Sequence, residues 1–125
     1  MKPAPPRPFP HIWMETLSKR SVPDMLNLYL PNAVLVPTYN KDVLQGKKKL
    51  GAYFQRFLAK DGLCGKVDNV VGQRVGRNGV FSGRYTFFFR ENGIPRTVQA
   101  RYTYVVVPTR SGARILTHHS SEVPK

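Results

Sequence analysis

The segment Ile115-Leu116-Thr117-His118-His119-Ser120-Ser121, followed closely by Pro124, ends an apolar stretch with four residues in a row that can hold or relay protons. Two of the chain's three histidines are here. In an extended chain, successive side chains point to opposite faces. Thr117, His119 and Ser121 should therefore share one face, and His118 and Ser120 the other, together with Leu116. Turned into a fold at the mouth of a cavity, a His/Ser pair can bind a small, oxygen-rich ligand. Otherwise the same residues are hydrogen-bonded groups that finish a sheet. Alternation leaves open which pair faces inward, His118 with Ser120 or His119 with Ser121.

Other donors can join such a pocket. Thr38 ends an early strand, and Tyr53 lies on the apolar side of a helix. Arg101 and Tyr102 lie in the aromatic-rich strand Gln99-Ala100-Arg101-Tyr102-Thr103-Tyr104, which should pair with the His-Ser segment. Only one of those two can face inward by alternation. A guanidinium presents a fork of donors to a planar oxyanion, and hydroxyls complete the shell. Each candidate also has a plain structural use: Thr38 as a turn cap, Tyr53 as a core aromatic, Arg101 as a surface residue.

The seven acidic residues argue against other chemistries. They fall mostly at expected turns or exposed helix positions, with Asp68, at a strand start, the nearest to an exception. None sits deep in an apolar strand, where burial would raise its pKa for acid–base work. This disfavours paired-carboxylate mechanisms and a proton-abstracting Asp. A metal centre is equally hard to assemble, because His118 and His119 are adjacent on a strand, His11 is remote, and Cys64 is the only cysteine. The expectation is a site without metal or cofactor.

Twenty Lys and Arg against seven acidic residues give a formal charge of +13. Such a surface attracts anions through its field, and nucleic acid is the first partner to consider. The basic residues are spread along the chain, however, with Lys47-Lys48-Lys49 the one tight run and no recognition motif beside it. Nucleic-acid binding is therefore possible but not favoured. No apolar run approaches the ~20 residues that cross a bilayer, so no membrane partner is expected. The start of the chain has no apolar signal-like segment, and the expected location is cytoplasmic.

The length of 125 residues suits one domain. Residues 1–8 are expected as a flexible, Pro-rich tail and residues 9–125 as the domain. Residues 9–30 carry helical patterning, with a break and restart at Ser21-Val22-Pro23-Asp24 and a stop at Pro31-Asn32. Ala33 to Val36 is a short strand, residues 43–46 a second, and residues 47–59 a third helix with Leu50, Tyr53, Phe54, Phe57 and Leu58 on one face. Residues 67–77, 80–90, 97–107 and 114–121 are four strands. Asn78-Gly79, Asn92-Gly93 and Ser111-Gly112 mark the turns between them. The class is α+β: a curved antiparallel sheet packed on three N-terminal helices, leaving a cone with a cavity. Tyr85, Phe87, Phe88 and Phe89 must place an aromatic ring on each face of their strand. An outward ring should be covered by a partner, which suggests a homodimer or larger homo-oligomer.

Several segments carry a resemblance: Leu28 through Thr38, Ala52-Tyr53-Phe54, Gly93 through Gln99, Ala100 through Tyr104, and His118 through Pro124. Together they resemble the nuclear transport factor 2-like superfamily, and within it the association-domain branch of calcium/calmodulin-dependent protein kinase II. The resemblance implies a cone-shaped fold, usually dimeric and sometimes a larger ring. The His-Ser-Ser ending is also similar to the iota-class carbonic anhydrases, some of which work without metal. That likeness implies a Thr after the first strand, a Tyr on the third helix, and a His and Ser of the terminal motif holding bicarbonate. By motif these are Thr38 and Tyr53, with either His118 and Ser120 or His119 and Ser121. Arg101 and Tyr102 would draw in and bind the small anionic substrate. Thr117 stands where many relatives carry a third His, and the Thr38-to-Tyr53 spacing is slightly short. The cavity Asp and His arrangements of the superfamily's isomerases and dehydratases are not found here.

Overall fold

The computed structural model describes residues 8–124; apart from Pro8, the expected Pro-rich tail lies outside the described residues. Helix α1 (Phe9–Lys19) buries Phe9, Trp13, Met14 and Leu17 along one stripe. Its end is fixed by Arg20 in the left-handed conformation, φ 55°, and the Arg20 guanidinium donates to the carbonyls of Leu58 and Lys60. Helix α2 (Val22–Leu26) starts where the Ser-x-Pro pattern predicts: the Ser21 hydroxyl accepts from the Asp24 backbone N–H at 3.3 Å.

Strand β1 (Tyr29–Val36) begins earlier than the sequence pattern suggests. Tyr29 is not the tail of a helix but the first strand residue, fully buried. The residue before a proline is pushed out of helical geometry, so Leu30-Pro31 starts a strand instead of ending a helix. Pro31, which cannot donate to a ladder, falls in the irregular stretch between Tyr29 and Val34 where the register shifts. A two-residue strand, β2 (Leu44–Gln45), pairs with β1. Helix α3 (Lys47–Phe57) then buries Leu50, Tyr53, Phe54 and Phe57.

Four long strands follow: β3 (Asp61–Val75), β4 (Asn78–Glu91), β5 (Ile94–Thr109) and β6 (Gly112–Glu122). They form an antiparallel meander within a curved, unclosed six-stranded sheet of order β2-β1-β6-β5-β4-β3. The β1–β6 pair is parallel. The turn at Asn92-Gly93 has both residues at positive φ, 53° and 78°, as a tight hairpin requires. The other two turns sit slightly earlier than the Gly dipeptides suggest, at residues 76–77 and 110–111. In the first, Gly76 supplies the positive φ, which leaves Asn78 free to pair with Val75.

The core lies between one face of this sheet and the helices. Trp13 of α1 stacks on Tyr85 of β4 at 5.5 Å between centroids. Phe57 of α3 meets Phe87 edge-on at 5.3 Å. Three of the four aromatics expected to suggest a partner, Tyr85, Phe87 and Phe89, are buried within the chain. Only Phe88 points the other way, and it is half-buried.

Candidate functional site

The last strand does not alternate simply. Val105 of β5 pairs with Thr117, yet Val106 pairs with Ile115, so Leu116 is an extra, bulged residue. The bulge moves the phase by one. Ile115 is buried, Leu116 is turned out at 39% exposure, and His118 is again buried. Leu116 therefore does not share a face with His118, contrary to strict alternation. Beyond the bulge, period two returns: His118 and Ser120 point inward, while His119 is exposed and Ser121 half-buried.

Around His118 runs a continuous chain of hydrogen bonds. The Trp13 indole N–H donates to the Tyr29 hydroxyl at 3.0 Å. Tyr29 meets His118 Nδ1 at 2.8 Å, and His118 Nε2 meets the Tyr85 hydroxyl at 3.2 Å. Tyr85 donates to Ser120 Oγ at 2.5 Å. Ser120 in turn lies 2.5 Å from Thr38 Oγ1. Tyr85 gives its one proton to Ser120, so at its contact with His118 it accepts and Nε2–H is the donor. The neutral imidazole is then the tautomer protonated on Nε2, and its bare Nδ1 accepts from the Tyr29 hydroxyl, which itself accepts from the Trp13 indole N–H. The series leaves one hydroxyl proton unassigned at the Thr38–Ser120 end.

Burial, and after it the neighbouring His119, lowers the His118 pKa to about 3, so the ring is neutral at physiological pH. It is held by stacking on Tyr104 at 4.0 Å and by the edge contact with Trp13 at 5.4 Å. Burial likewise raises the pKa values of the Tyr29, Tyr85 and Tyr53 hydroxyls, so none is an anion near neutrality. The interior is polar but carries no charge.

His118, Ser120, Thr38, Tyr53, Trp13 and Tyr85 line one small internal cavity of about 10 Å³, room for a water-sized guest. Tyr53 forms part of the wall, with its hydroxyl beside the Tyr39 backbone. Of the other residues proposed from sequence, none lines this cavity: Arg101, Tyr102, His119 and Ser121 all border another one. Arg101, His119 and Ser121 line that open cleft on the opposite face of the sheet, because each is one residue out of phase with the inward row. Tyr102 belongs to the inward row by burial, yet its hydroxyl donates to the Asn69 carbonyl at 2.7 Å and takes no part in the His118 chain. Among the described residues no group of three or more His, Cys, Asp or Glu could hold a metal ion.

Trp13, Tyr29 and Tyr85 are the members of the site that sequence patterning misses. The helical patterning of residues 9–30 hides the strand position of Tyr29. Tyr85 lies two strands away from Ser120, and the small residue opposite it in β5, Ala100, was the available clue that a phenol could cross the intervening strand.

A family model of the calcium/calmodulin dependent protein kinase II association domain matches residues 9–124. The chain belongs to this family. Among solved structures, a protein described as this association domain, from Xanthomonas campestris, is 30% identical with a TM-score of 0.85, over 94% of this chain and 84% of that one. The S. rosetta kinase hub superposes with a TM-score of 0.81 at 14% identity, over 96% of this chain and 100% of that one. A nuclear transport factor 2-like superfamily protein from Salmonella enterica gives 0.78 at 17%, over 90% and 84%. The last two show the shared fold alone. No curated protein matches the chain. No helix among the described residues is long and apolar enough to cross a membrane.

Proposed function

We propose that this association-domain protein is a non-catalytic assembly module that associates with copies of itself, and that its polar interior is a structural element. The observation that carries the non-catalytic part is the saturation of the His118 chain. Both ring nitrogens are engaged, the ring is neutral, and the cavity beside it is water-sized. A proton shuttle working near neutrality needs an imidazole that titrates there, and this one does not. Self-association is supported by membership of an association-domain family and by likeness in fold to a kinase hub. Sedimentation velocity at micromolar concentration tests it. A homodimer or larger homo-oligomer is the expected result, and a strict monomer overturns the proposal.

A second reading is favoured by one specific observation: Thr38, Tyr53, His118 and Ser120 line the same cavity. In this reading the chain interconverts carbon dioxide and bicarbonate at the mouth of that cavity: the Thr38–Ser120 hydroxyl with the unassigned proton donates a hydrogen bond to a bicarbonate oxygen, water adds to the carbon, and the proton released passes to solvent. His118 then orients the hydroxyls, and Arg101 and His119 take no direct part. Stopped-flow hydration of carbon dioxide on metal-stripped protein decides it. The reading requires a rate above buffer that falls on Ser120→Ala; a rate equal to buffer ends it.

A further inference from the structure

On the sheet face opposite the helices, Arg84 of β4 and Arg101 of β5 stand directly opposite each other. Residues so paired have Cβ atoms about 5 Å apart, and like charges there repel. Neither guanidinium has an ion-pair partner among the described residues. The two arginines form one wall of an open cleft of about 400 Å³ whose lining contains no carboxylate. Asp68, beside the lining residue Asn69 in sequence, is engaged elsewhere, accepting from the Thr86 hydroxyl at 2.6 Å and facing Lys66 at 3.8 Å.

The rest of the cleft supplies neutral donors. Ser82 and Thr103 face each other across the strands at 3.3 Å. Asn69 accepts from the Arg84 backbone N–H through Oδ1 at 2.7 Å, which fixes the amide orientation and leaves its NH₂ group to donate elsewhere. His119 and Ser121, paired with Thr103 and Arg101 across the β5–β6 ladder, complete the rim. Two forked cations held by a rigid sheet register, with hydroxyl and amide donors beside them, match the requirements of a multiply charged oxyanion. The overall charge of +13 would draw such an anion toward the surface.

We infer that this cleft is an oxyanion-binding site for a small, at least doubly charged phosphate- or carboxylate-bearing molecule, distinct from the internal cavity and independent of it. The probe is inorganic phosphate titrated into the full chain at low ionic strength, read by amide NMR shifts and calorimetry. Saturable binding is expected, with shifts concentrated at residues 82–84, 101–103 and 119–121. Arg84→Gln and Arg101→Gln should each weaken binding roughly tenfold. Lys48→Gln, on α3, should change it by less than about twofold, because it removes the same charge without touching the cleft. A succinate titration in parallel separates the sources. Competition with phosphate points to carboxylates, and phosphate binding without it points to phosphoryl groups. The inference is overturned by absence of saturation, by equal losses in Lys48→Gln and Arg101→Gln, or by a single-stranded RNA oligomer that binds and is not displaced by phosphate.

Discussion

The two faces of β6 carry nearly the same residues and opposite physics. On the inner face, His118 and Ser120 are almost fully buried, neutral, and joined in a chain from Trp13 to Thr38. On the outer face, His119 and Ser121 border an open cleft beside two arginines that have no ion-pair partner among the described residues. A His-Ser pair is present on each side, one residue apart. Residue type alone therefore says little about chemistry here; the phase of the strand decides whether an imidazole is a fixed, neutral wedge or a solvated ligand group.

Removing the two histidines in turn should give the largest difference between the faces. His118→Ala strips a ring from between Tyr29 and Tyr85, leaving a cavity and a buried phenol proton without an acceptor. A loss of about 3–5 kcal/mol is expected. His119→Ala removes an exposed ring and should change stability by less than about 0.5 kcal/mol. Urea unfolding of both variants measures the difference, with His118→Asn as a gentler replacement should the alanine variant not fold. Similar losses at the two positions would mean that the inner chain is not a structural unit.

Acid titration sharpens the same contrast. The folded protein keeps His118 neutral down to about pH 3, whereas an unfolded chain binds that proton near pH 6.5. Between these values the unfolded state holds more protons, so stability rises with pH. It is complete above about pH 6.5 and falls by up to roughly 1.4 kcal/mol per pH unit on acidification, until the folded-state value is reached. Unfolding free energies measured from pH 7 to pH 4 should show this slope in the wild type and in His119→Gln, and a clearly shallower one in His118→Asn. An unchanged slope in His118→Asn would assign the acid sensitivity to the carboxylates.

Much of this architecture was legible in the sequence, and what was not has identifiable causes. The meander from β3 to β6, the α3 stripe and the Ser21 cap follow from periodicity and turn chemistry, which are local. So does the pairing of His118 with Ser120 on one face. The inward choice between the two His-Ser pairs depended on the Leu116 bulge and on burial against Trp13, which no local pattern encodes. The residue type of Arg101 suits an anion in the interior, yet its register places it outside. Tyr29 and Tyr85 reach His118 from β1 and β4 across 89 and 33 residues of sequence, contacts fixed only once the sheet order exists. The parallel β1–β6 pair belongs to the same class of long-range fact.

The smallest expected effect separates the two readings of the interior. Ser120→Ala removes the acceptor for Tyr85 and the neighbour of Thr38, at a cost of about 1–2 kcal/mol, whereas Ser121→Ala should cost less than about 0.5 kcal/mol. If the chain is purely structural, the Ser120 loss should shrink in a Tyr85→Phe background, because the hydroxyl that needed the acceptor is then gone. A double-mutant cycle isolates that coupling. If Ser120 instead serves a guest in the cavity, the loss of stability is the same with and without Tyr85's hydroxyl, and the change appears in ligand binding. A coupling near zero would therefore move Ser120 from the protein's own bonding to that of a bound molecule.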